Sequence, residues 1–196
     1  MNPLATPPRP AAVDDAEARL VEGARQGDPA AFDALARRHM RRAFSVAYRL
    51  LGHREDAEDL VQEAFMVALK KLDTFESGRP FAPWFFRILI NRGHNLRASR
   101  ARRQGAPLPE DAPARTAPPD REAADAELRE RLGEALARLP ERQRLMVELF
   151  ELEGFSGAEI AEMLDVAPGT VRWTLHQARQ TLRDILAPYR EEARDG

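Results

Sequence analysis

Between Gln104 and about Ala123 the chain reads PLPEDAPARTAPPD at its centre, a stretch with five prolines. Proline has no backbone N–H and clashes with the preceding helical turn, so no helix or strand runs through such a segment. It must be a linker, semi-extended and acidic in places. At polyproline rise its roughly 20 residues span up to about 60 Å. The linker (104–123) divides the chain into two small domains, 16–103 and 124–189. A proline- and alanine-rich tail (1–15) precedes them and is expected to be disordered.

Both domains read as helical. Leu20, Val21 and Ala24 form the inward row of a short first helix, and Gly27-Asp28-Pro29 ends it. Asp28 is placed to cap the next helix and Pro29 to occupy its first position. Phe32, Leu35, Ala36, Ala43, Val46, Ala47 and Leu50 make that second helix amphipathic up to Gly52. A third runs from about Arg54 to Leu72, and a fourth from the aromatic cluster Phe81, Trp84, Phe85, Phe86 to about Arg103. Beyond the linker, Leu128 to Leu139 give one helix, and Pro140 starts another carrying Leu145, Leu149 and Phe150. Ser156 and Glu159 have the spacing of a capping box. The short helix they open leads through Asp165-Val166-Ala167 into a longer one from Pro168, with Val171, Leu175, Ala178, Leu182 and Ile185 inward. Strand periodicity and internal repeats are missing, so the fold class is all-α.

Charge is distributed with a pattern although the net is only −2 over 196 residues. The third helix buries Ala57, Leu60, Val61, Ala64, Phe65, Ala68 and Leu72 at helical spacing and turns Glu55, Glu58, Asp59, Gln62 and Glu63 outward. An ordinary solvated face satisfies that spacing, and so does a docking surface for a basic partner. From Arg87 to Arg103 there are six arginines and no acid, a local charge of +6. Beside aromatics able to stack on unpaired bases, such a stripe suits single-stranded or opening DNA. Asn91 and Asn95, one turn apart, can hydrogen-bond base edges or phosphate; Trp84 is better placed as core. The final helix pair has the layout of a helix-turn-helix, whose second helix enters the major groove. Its outward residues are Thr170, Arg172, Trp173, His176 and Gln177, with Arg179 and Arg183 placed for phosphate. A plain helical hairpin with a soluble outer face fits the same pattern.

Several classes are excluded or disfavoured. The chain has no cysteine, so neither a disulfide framework nor a thiolate metal site is possible, and its four histidines are never at ligand spacing. No apolar run approaches the ~18 residues of a membrane span and no signal-peptide core is present, which points to a soluble, cytoplasmic protein with no direct membrane insertion. Without a glycine-rich phosphate loop or a nucleophile–base–acid set, no enzyme activity, small-molecule substrate, metal or cofactor is expected.

The motifs together resemble a known family. Asp28-Pro29-Ala30-Ala31-Phe32, DAEDLVQEAF (56–65) and FAPWFFRILIN (81–91) with its arginine-rich tail look like the second conserved region of a bacterial sigma factor. LPERQR (139–144), GFSGAEIAEML (154–164) and PGTVRWTLHQARQTLR (168–183) resemble the fourth region. With only a linker between them, the layout is similar to the extracytoplasmic-function (ECF) group. The resemblance implies a transcription initiation factor that binds core RNA polymerase. Asp56, Glu58, Asp59, Gln62 and Glu63 would dock on the clamp coiled coil of the largest subunit, and the fourth region on the flap of the second. Phe75, Asn91, Asn95, Arg97, Arg100 and Arg103 would capture and melt the minus-ten element. Thr170, Arg172, Trp173, His176, Gln177 and Arg179 would read the minus-thirty-five element. An anti-sigma factor is a further partner expected from the family. Asn95 stands where the family usually has aspartate, and Ala98 where an arginine is common. Trp173 and Thr174 replace the more usual serine and arginine, which implies an altered promoter preference.

Two rival readings differ in what they need. A sigma-like decoy that sequesters an anti-sigma factor needs the apolar faces but not Arg97, Arg100, Arg102, Arg103 or Arg172. A plain helix-turn-helix regulator has no use for the acidic third helix. The chain stops soon after its last helix, so no appended sensory domain is expected.

Overall fold

The computed structural model describes residues 14–104 and 131–195, and among them there is no strand. The first group comprises α1 (Asp15–Arg25), α2 (Pro29–Leu51), α3 (Arg54–Lys70), a 3₁₀ turn at Leu72–Thr74 and α4 (Phe81–Gln104). The second comprises α5 (131–137), α6 (Glu141–Val147), a π-helical turn over Glu148–Leu152, α7 (Gly157–Leu164) and α8 (Pro168–Asp195). The expected linker and most of the expected tail lie outside the described residues. Asp14 caps α1, its Oδ1 accepting from Ala16 N at 2.9 Å.

Local chemistry sets the helix ends. Asp28 Oδ1 accepts from Ala30 N at 2.9 Å with Pro29 in the first turn. At the other end of α2, Gly52 takes φ 72° and donates its N–H to Tyr48 O at 2.8 Å, a conformation glycine adopts without a Cβ penalty. The capping box of α7 is formed in both directions: Ser156 Oγ accepts from Glu159 N at 3.3 Å, and Glu159 Oε2 accepts from Ser156 N at 2.8 Å. One helix start is capped from elsewhere in the fold. Phe81 N, at the head of α4, donates to Glu17 Oε1 of α1 at 3.1 Å, and the other oxygen of Glu17 meets His39 Nε2 of α2 at 3.1 Å.

The first group packs closely because its contact surfaces are small. Ala43, Ala47, Ala57, Ala64 and Ala68 are fully buried, which lets α2 and α3 approach. At Gly93 a Cβ would come within 3.1 Å of Leu50 Cδ1 and 3.2 Å of Leu60 Cδ2, tighter than ordinary van der Waals contact, so the missing side chain lets α4 lie close to both neighbours. The aromatic cluster requires a correction. Phe81, Phe85 and Phe86 are buried, with Phe85 stacked on Phe65 at 4.3 Å and on Phe81 at 5.8 Å. These rings are the centre of the bundle and offer no face to a base. Trp84 is half-buried against Phe75 at 5.2 Å.

The two groups are in contact, which the linker alone did not require. α7 lies on α4, and the ring of Phe155 meets Phe86 edge-on at 5.0 Å. Arg49 of α2 holds Glu153 at 2.7 Å, and Arg42 lies 3.9 Å above the Phe155 ring. Beside this contact sits Glu148, buried among Arg49, Arg144 and Glu153, with burial pushing its carboxyl up to about 7. A group whose pKa is raised on folding stabilises most below its unfolded value and loses that contribution as pH rises through the folded one. Thermal stability is therefore expected to fall between about pH 4.5 and 7, and Glu148→Gln to flatten that fall. Calorimetric melting of both proteins across this range measures the difference; parallel profiles would assign the slope to other groups.

Candidate nucleic-acid interface

The acidic face of α3 is where the periodicity puts it. Glu55, Glu58, Asp59, Gln62 and Glu63 are all exposed. Two of them are engaged locally: Glu58 with Arg54 at 2.8 Å, and Glu63 with Arg92 of α4 at 2.6 Å. Asp56 differs from the others. It is half-buried in a two-pronged pair with Arg100, Nη2 to Oδ1 at 2.6 Å, and this hydrogen bond holds its carboxyl below the usual range. Asp56 thus joins α3 to α4.

Next to the acids lies a feature the sequence reading missed. Phe32, Ala36, Met40 and Phe44 of α2 face Val61, Phe65, Met66 and Leu69 of α3 across a groove of about 520 Å³. Met40, Met66 and Leu69 are exposed there. A signal was available: Met66 and Leu69 stand three residues apart outside the buried row, an apolar pair beside Gln62 on the exposed side of α3. The groove opens beside Glu58 and Gln62, so apolar floor and acidic rim form one surface.

The basic stripe of α4 is largely matched by acids. Arg92 and Arg100 turn back to Glu63 and Asp56 of α3, whereas Arg87 faces Asp165 at 3.5 Å and Arg97 pairs with Glu141 of the second group. Asn91 and Asn95 are exposed, and Asn91 lines a cavity of about 370 Å³ with His94, Glu141 and Leu164. Burial pushes the His94 imidazole below its ordinary value, so it stays neutral near pH 7. Phase space for direct contact at Phe75 is closed: the ring is buried against Phe81 at 5.9 Å and against Trp84. Phe75 therefore anchors the loop before α4 and is corrected from base contact to core. The side chain of Arg103 lies outside the described residues.

On α8 the exposed and buried sets separate along the helix. Val171, Leu175 and Ala178 are buried against the second group. Thr170, Arg172 and His176 are exposed, Gln177 is half-buried, and Trp173 presents its indole to water at 61% exposure. Thr174 is buried, so that departure from the family pattern acts on packing. The hinge before α8 is set by Asp165 at φ 54°, a left-handed position that aspartate tolerates better than most residues. Arg179 bonds the exposed Glu151 through Nε at 3.0 Å and Nη2 at 2.7 Å and lies 5.1 Å from the Phe150 ring, at the edge of the outward row. Among the described residues no helix is long and apolar enough to cross a membrane.

Comparison with known proteins assigns the two halves. The Sigma-70 region 2 family matches residues 35–103, and the Sigma-70 region 4 family matches residues 129–182. The ECF RNA polymerase sigma factor SigE of Mycolicibacterium smegmatis is 39% identical over 85% of this chain, which covers 66% of that protein's length. The ECF RNA polymerase sigma-E factor of Haemophilus influenzae is 31% identical over 86% of this chain and 94% of its own. The sigma factor RpoE of Bartonella quintana, solved in complex with the anti-sigma factor NepR, superposes with a TM-score of 0.61. It is 28% identical over 74% of this chain and 89% of that one. With regions 2 and 4 both matched and a relative 31% identical covered over 94% of its length, this chain belongs to the ECF sigma factors, the initiation factors that direct RNA polymerase to promoters.

Proposed function

We propose that the two halves divide promoter recognition between them, with domains at 16–103 and 124–189. The exposed acids of α3, with the Met40–Met66–Leu69 groove beside them, dock on a basic, amphipathic part of core polymerase, the clamp of its largest subunit. α4 carries minus-ten capture and melting through Asn91, Asn95, Arg97 and Arg100. α8 reads the minus-thirty-five element with Thr170, Arg172, Trp173, His176 and Gln177, and the second domain also meets the flap of the second subunit. The observation that carries this reading is the outward row on α8. Four polar or aromatic side chains stand exposed at the entry of a helix that Ser156, Glu159 and Asp165 hold in helix-turn-helix geometry. The site of action is the cytoplasm, where the polymerase is, and an anti-sigma factor of the kind bound to the Bartonella relative is the regulatory partner.

In vitro transcription with core polymerase, on sheared DNA from the same organism, tests the reading. Discrete start sites that depend on this protein are expected, and failure to form any complex with core would overturn it. On the promoters so defined, Arg172→Ala should weaken minus-thirty-five recognition by about 1–3 kcal/mol and relax preference at the contacted base pair. Competition binding with base-substituted duplexes reads this out. An equal loss on every sequence would reduce Arg172 to a phosphate contact.

A further inference from the structure

Sulfur in this chain is confined to thioethers. There is no cysteine, and of the methionines Met1 lies outside the described residues while Met40, Met66, Met146 and Met163 lie within them. Their surroundings divide these four into two pairs. Met146 and Met163 are sealed in the core of the second domain, at 0% and 1% exposure. Met40 and Met66 are 44% and 49% exposed, and both line the groove of about 520 Å³ between α2 and α3. The accessible thioethers therefore stand on the apolar floor whose rim carries Glu58 and Gln62.

Methionine suits such a surface because it is unbranched and polarisable and fits against irregular apolar partners. The same sulfur is open to a two-electron oxidant of the peroxide class. A lone pair on Sδ attacks one peroxide oxygen, and the S–O bond forms as the O–O bond breaks. The departing hydroxide takes up the remaining proton and leaves as water, so sulfur is oxidised by two electrons and the peroxide is reduced. The product, methionine sulfoxide, is polar where the thioether was apolar. Water satisfies the new oxygen while the groove is open. Docking an apolar partner strips that water, and an oxygen left without a donor opposes the burial.

We propose that Met40 and Met66 form an oxidation site built into the polymerase-docking surface, whose conversion to sulfoxides detaches the protein from core RNA polymerase and whose reduction restores binding. The inference rests on the docking role given to the groove and adds its regulation. Restoration is the work of methionine sulfoxide reductases, one for each sulfoxide epimer. A dithiol is oxidised to a disulfide in that step and the sulfoxide oxygen leaves as water.

The test uses the full chain. It is treated with hydrogen peroxide, and mass spectrometry of its digest follows each methionine. Met40 and Met66 are expected to gain oxygen well before Met146 and Met163; equal rates at all four would overturn the proposal. Protein oxidised to that stage is titrated with core polymerase by fluorescence anisotropy. Its affinity is expected to fall about tenfold or more and to return after treatment with both reductases and dithiothreitol. Met40→Leu with Met66→Leu is apolar, close in volume and inert to peroxide, and it retains the other three methionines. Whatever the untreated affinity of this variant, peroxide should not change it. A loss there would assign the effect to other residues and overturn the proposal. Met40→Gln with Met66→Gln makes the floor polar without oxidant and separates the two readings. Weak binding by this variant beside full binding by the oxidised chain would overturn the oxidation site and leave the docking groove standing. Full binding by both would remove the groove from the docking surface as well.

Discussion

Replacing Asp59 and Glu63 with lysine is expected to weaken binding of core RNA polymerase by about 100-fold or more. Both side chains are exposed on α3, and Asp59 has no ion-pair partner among the described residues. The reversal removes two attractions toward a basic partner and installs two repulsions. Like charges brought together at an interface cost several kcal/mol, well above the loss from simple truncation of a rim charge. The fold should tolerate the change, because the Glu63–Arg92 pair is solvent-exposed and such pairs contribute about 0–1 kcal/mol. Fluorescence anisotropy of labelled protein titrated with core polymerase measures the affinity, and thermal melting the integrity of the fold. Unchanged affinity would remove the acidic face from the docking surface and leave the neighbouring apolar groove to carry it.

The largest effect on stability should come from the aromatic cluster. Phe85→Ala is expected to cost about 3–5 kcal/mol, the usual range for a phenylalanine removed from a packed core. Phe85 is fully buried and its ring meets Phe65, Phe81 and Phe86, so the vacated space borders three other rings and closes poorly. Phe85→Leu should keep most of the packing and therefore most of the stability. Denaturant unfolding separates the two variants. A surface role for this residue in stacking on bases would give the opposite pattern, with little change in stability and a loss of single-stranded DNA affinity in both.

Phe75, Phe81, Phe85 and Phe86 show where a one-dimensional reading reaches its limit. Aromatics beside arginines satisfy the composition of a DNA surface and of a core margin equally well. Which applies depends on whether α2 and α3 cover the rings, and that is decided by distant residues. The alanines on α2 and α3 and Gly93 on α4 bring the helices close enough to enclose them. Arg100 and Arg179 follow the same logic. Their charge is visible in the chain, but their partners Asp56 and Glu151 lie 44 and 28 residues away.

Features set by neighbours in sequence were legible without a structure. The caps at Asp28 and Ser156, the stop at Gly52, the buried row of α3 and the outward row at the start of α8 all depend on spacing of one to four residues. Turn geometry and helical periodicity are local, so the chain determines them alone, and with them the all-α class and the order of the two regions. What only the tertiary structure decided is which charges remain available. Glu17 capping α4, the apolar groove beside α3, and the acids of the second domain lying on the arginines of the first are all pairings across long stretches of chain. Charge type is a property of each residue, whereas the partner of a charge is a property of packing.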